Sequence, residues 1–107
     1  MVMLKLTDVQ DIEDGSTIGV QVFGKEYLIT RQGGEFFVLN GRCTHRGGIL
    51  KNGSIGGGTV QCPKHGARFN LCTGKMEGQV KIPLIGKASD IRRYTVELVG
   101  NELFIEL

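Results

Sequence analysis

Short runs of alternating apolar and polar residues, cut by glycine-centred turns, run through the chain, and helical periodicity is weak throughout. Thr17–Phe23 (TIGVQVF) and Glu26–Thr30 (EYLIT) read as strands joined at Gly24-Lys25, a glycine-first pair that predicts a type II′ hairpin. Gly33-Gly34 returns the chain into Glu35–Asn40 (EFFVLN). Towards the end, Ile91–Val99 (IRRYTVELV) and Glu102–Leu107 (ELFIEL) flank Gly100-Asn101, another hairpin signal. The pattern predicts an all-β chain of antiparallel strands, and 107 residues suit one domain.

Between these groups of strands the pattern breaks down. Residues 41–78 contain ten of the 17 glycines, scattered apolar residues, all three cysteines and both histidines, with one short strand expected near Thr59–Cys62. The expected organisation is a base of residues 1–40 and 79–107 carrying a loop-rich insertion, 41–78. Such a segment buries little apolar surface, while ordering its backbone costs roughly 1–2 kcal/mol per residue. A metal centre bound at both ends would offset that cost, because metal binding couples to folding.

Charge and composition narrow the function. The net charge of +2 hides an asymmetry: Gly41 to Met76 holds six basic residues and no Asp or Glu. Phe69 is the sole aromatic residue there, which is poor material for stacking bases, so no nucleic-acid role is expected. The longest apolar run, Phe36–Leu39, is far too short to span a membrane, and the N-terminal residues lack a secretory pattern. Three cysteines cannot pair completely, which suits a reducing compartment; a cytoplasmic protein is expected.

The chemistry concentrates in Cys43-x-His45, sixteen residues, then Cys62-x-x-His65. Structural zinc sites commonly draw a cysteine pair and a histidine pair as separate units, so mixed loops leave zinc open without favouring it. A zinc-stabilised interaction module remains one reading of these residues. A 2Fe-2S centre in which two histidines replace two cysteines on one iron uses a mixed set directly.

Taken with the flanks CTH and CPKHG, the downstream FNLCTGK (Phe69–Lys75), Pro83 in VKIPL and the closing hairpin, this spacing resembles the Rieske ferredoxin family over most of the chain. The resemblance implies a Rieske fold, antiparallel β-sheets with an inserted cluster-binding subdomain, and one 2Fe-2S cluster. Cys43 and Cys62 would hold the inner ferric iron, and His45 and His65 the outer iron that changes oxidation state near solvent. Gly47, Gly48 and Gly66 are best placed to let the backbone approach the cluster, whereas Gly56–Gly58 fit ordinary loop glycines.

Departures from the respiratory type are equally informative. Those proteins carry an extra cysteine in each loop, joined as a disulfide; Gly48 and Lys64 stand in those places here. They also carry serine and tyrosine hydroxyls that bond to sulfur, where this chain has Ala67 and Phe69. Fewer hydrogen bonds to sulfur imply a potential near the bottom of the range of about −150 to +300 mV.

The resemblance therefore implies a monomeric, soluble one-electron carrier, not itself an enzyme, between a reductase and an acceptor such as a terminal oxygenase. The alternative is a dedicated redox subunit or sensor of a larger enzyme. Arg46, Lys64 and Arg68 lie beside the predicted ligands, as a docking rim for acidic partners or as ordinary solvated charge. Cys72 lies outside the ligand pattern and reads as a passive thiol.

Overall fold

Register, more than strand propensity, decides which side chains of this chain face inward. The computed structural model describes residues 2–44, 47–64, 66–78 and 88–107. Three antiparallel sheets are formed among these residues. The first joins β1 (Met3–Asp8), β11 (Glu102–Glu106) and β10 (Val96–Val99) in that order; the second joins β2 (Thr17–Val22), β3 (Lys25–Gln32), β4 (Glu35–Asn40) and β9 (Arg93–Tyr94). The third joins β5 (Ser54–Gly56), β6 (Thr59–Gln61), β7 (Arg68–Asn70) and β8 (Met76–Gly78). A single 3-10 turn, Leu50–Asn52, precedes β5. No helix among the described residues is long and apolar enough to cross a membrane.

The second sheet is the middle layer. Tyr27, Ile29, Val38 and Tyr94 pack with Leu103 and Ile105 of the first sheet, while Leu28 and Leu39, on the opposite face, pack with Leu50, Val60, Phe69 and both Cys43 and Cys62. Both faces are covered, so Glu26 to Thr30 is buried without a break. That explains why EYLIT reads as a continuous run instead of a strict alternation.

Several sequence expectations need correction. Val22 pairs with Lys25, so the tight turn is Phe23-Gly24 and not Gly24-Lys25. Both turn residues have positive φ, 50° and 77°, which makes it a type I′ turn. This register sets Ile18 against Ile29 and Thr17 against Thr30, whose hydroxyls lie 3.1 Å apart. The expected register would have put Ile18 opposite Arg31. Phe23 is the only described non-glycine residue with positive φ, a conformation costing an L-residue roughly 1–2 kcal/mol.

The expected strand Ile91–Val99 divides at Thr95: β9 belongs to the middle sheet and β10 to the first. β1 went unread in the sequence, and so did three of the four strands of the third sheet, each only three residues long. At the sheet edge, Lys5 donates to Glu102 at 2.7 Å and lies 3.2 Å from Asp8, contacts that raise its pKa above the ordinary lysine value.

The 3-10 turn leading into the third sheet is tied to the middle sheet by a side-chain latch. The stem of Lys51 lies over Gly19, where an added Cβ would fall 2.6 Å from the Lys51 Cβ. Its ammonium reaches the Glu26 carboxylate at 3.7 Å. Glu26 Oε2 is buried without a hydrogen bond, so this cation is its compensation. Because Lys51 is half exposed, Lys51→Met should destabilise the fold by about 1–3 kcal/mol. Adding Glu26→Gln should recover most of the loss, as read from denaturant midpoints in a double-mutant cycle.

Candidate metal centre

Two six-residue loops, 43–48 and 62–67, share one construction. An isolated bridge between Arg42 and Ile49 closes the first, and the β6–β7 pair Gln61–Arg68 closes the second. In each loop the cysteine N–H donates to the carbonyl five residues on: Cys43 to Gly48 at 2.8 Å and Cys62 to Ala67 at 2.7 Å. Each cysteine carbonyl accepts from the N–H four residues on, from Gly47 at 3.0 Å and Gly66 at 3.2 Å. Gly47 and Gly66 take φ values of 69° and 80°, where a side chain would be strained. The signal Cys-x-x-x-Gly was present in both loops, but it is too short to register as an internal repeat.

The loops converge. Cys43 and Cys62 are each only 3% exposed and belong to one buried cluster. A Cβ added at Gly48 in the first loop would lie 2.9 Å from Cys62 Sγ and 3.3 Å from Lys64 Cγ in the second. The backbone of one loop therefore touches the cysteine of the other. Ala67 and Phe69 are fully buried beside them, so the two positions that lack hydroxyls are apolar core.

Contacts not foreseen from the sequence hold the first loop. Arg42 Nη1 donates to the Gly47 carbonyl at 3.0 Å. Thr44 and Ser89 bond reciprocally: the hydroxyl donates to the Ser89 carbonyl at 2.5 Å and accepts from its N–H at 2.9 Å. A lone Thr between Cys and His carries no sequence signal for that role.

His45, His65 and Arg46 lie outside the described residues, as does Pro83. Of the expected basic rim, the exposed Lys64 lies against Gly48, whereas Arg68 crosses Gly78 of β8, where a Cβ would meet its Nε at 2.8 Å. Cys72 is half buried in the β7–β8 turn, its Sγ 3.9 Å from Gln32 Oε1. Phe36 and Tyr94 pack in the core between the first two sheets.

The residues described fit a metal–sulfur group. Two buried thiols, neither in a disulfide, are offered from facing loops in which each cysteine's amide and carbonyl are hydrogen-bonded, and thiolates favour iron–sulfur and zinc chemistry. Comparison decides between them. The Rieske 2Fe-2S domain family matches residues 2–95. This chain belongs to that family.

A Rieske protein of this kind carries one 2Fe-2S cluster and transfers electrons without being a catalyst itself. The ferredoxin component of naphthalene 1,2-dioxygenase/salicylate 5-hydroxylase systems from Ralstonia sp is 31% identical over 99 residues, 92% of this chain and 89% of that protein. The ferredoxin of Sphingomonas yanoikuyae B1 superposes with a TM-score of 0.78 at 26% identity, covering 99% of both chains. A ferredoxin bound to the oxygenase of carbazole 1,9a-dioxygenase gives 0.74 at 27% identity, covering 96% of this chain and 91% of that one. The all-β Rieske fold expected from the sequence is thereby borne out.

The Gly48 contact gives a direct test. Gly48→Val should press on the Cys62 thiol and lower iron and sulfide per chain. Iron and sulfide analysis of the purified variant checks this; a native complement would show that the contact gives way.

Proposed function

We propose that this Rieske ferredoxin takes single electrons from a reductase and passes them to a terminal oxygenase. Relatives of this size are ferredoxin components of dioxygenase systems, and a similar ferredoxin is known bound to an oxygenase. Within the chain, Cys43 and Cys62 hold the inner iron and His45 and His65 the outer iron, with residues 41–78 forming the cluster-binding part of one domain. The convergence of two buried thiols across Gly48 carries this reading. When bound, the cluster supplies a one-electron couple. The polypeptide contributes a dry apolar wall from Val60, Ala67 and Phe69, and two loops held by internal hydrogen bonds.

The protein works as a monomer, and in the cytoplasm, where an odd number of cysteines suits the reducing conditions. Its potential is low, towards the bottom of the range of about −150 to +300 mV, since Ala67 and Phe69 offer no hydroxyl to sulfur. Basic residues on the loops, Lys64 foremost, meet acidic groups on the partner.

Purified protein should be coloured, bleach on adding dithionite and then show an unpaired electron by paramagnetic resonance; Cys43→Ser, His45→Ala, Cys62→Ser and His65→Ala should each abolish the signal. Colourless protein containing zinc would end the proposal. Phe69→Tyr should raise the potential by about 20–60 mV, the equivalent of one net hydrogen bond for a one-electron couple. Electron transfer to the partner should slow as salt rises from low to physiological strength; a rate indifferent to salt would remove the acidic docking surface from the proposal.

A further inference from the structure

The tip of the β2–β3 hairpin is unfavourable to its own fold in two independent ways. Phe23 is 92% exposed, the most exposed of the large apolar side chains described. It also occupies the first position of a type I′ turn at φ 50°, a place suited to asparagine or glycine. An exposed apolar residue alone is ordinary, and so is a strained turn residue. Together they mark a side chain retained for something other than folding.

Its location says what. Glu26, three residues away, accepts the Gly41 N–H through its carbonyl at 2.8 Å, and Gly41 lies two residues before Cys43. The tip therefore stands at the end of the middle sheet from which the chain departs into the first cysteine loop. Lys25, two residues on, is exposed at the start of β3, and it and the exposed Arg92 lie over the Tyr94 ring, 5.5 and 4.4 Å from its centroid.

We infer that Phe23 is a docking anchor that enters an apolar pocket, edged by acidic residues, on the protein that exchanges electrons with this one. The inference rests on the electron-carrier reading. The occupant is the donor, the reductase that loads this carrier. An aromatic side chain two residues from an exposed lysine suits such a contact, because rigid aromatic anchors dominate interface energetics while a neighbouring cation steers the encounter.

The test uses the reductase of the source cells, purified by following NAD(P)H-dependent bleaching of this protein's cluster. With Phe23→Asn as substrate, KM should rise about tenfold with kcat nearly unchanged, and Phe23→Leu should lie between that variant and the native protein. The midpoint of thermal unfolding of Phe23→Asn should rise, since asparagine tolerates the turn better. A KM within about twofold of native overturns the anchor, as does a lowered unfolding midpoint, which would make Phe23 a folding residue. Dithionite should reduce every variant equally; failure to reduce the native protein would sink the carrier reading itself and leave a different signature from failure of the anchor.

Discussion

The Cys62 thiol seated against a glycine of the Cys43 loop is the constraint on which this molecule turns. Gly48 leaves room for Cys62 Sγ where a side chain would collide, so the loops can approach closely enough to share one group. The apolar residues beneath them, Leu50, Val60 and Phe69, belong to the same cluster as Leu28 and Leu39 of the middle sheet. The site is therefore a continuation of the core, and its rigidity is borrowed from a sheet covered on both faces.

That arrangement explains how a segment so rich in glycine is ordered. Three-residue strands bury few side chains, but each loop returns its cysteine amide and carbonyl to its own backbone, leaving neither buried group unpaired. Arg42 and the Thr44–Ser89 pair add side-chain tethers to the first loop, and Lys51 fixes the 3-10 turn between the loops to Glu26. The ordering entropy is met by many small local closures together with the bound group, not by a second hydrophobic core.

Much of this was legible in the sequence. Hairpins around Gly33-Gly34 and Gly100-Asn101 could be read because turn chemistry and alternation agreed. The turn at Phe23-Gly24 misled, since phenylalanine is a poor I′ residue and the register follows Ile18 and Thr17, far from the turn. β9 and β10 merged into one run because a change of sheet at Thr95 leaves no break in apolar pattern. The cysteines could be singled out by spacing alone. Their shared loop geometry could not, since hydrogen bonds from backbone to backbone depend on conformation and leave residue type nearly free, apart from the glycine at the fifth position.

The repeated loop has a consequence for speed. A carrier is slowed whenever its surroundings must rearrange as charge arrives or leaves, and dipoles fixed in advance avoid that delay. Here both cysteines are held by the same pair of backbone hydrogen bonds and backed by a close-packed wall. The sulfur side of the site is thus set before an electron arrives and has little to rearrange when it leaves.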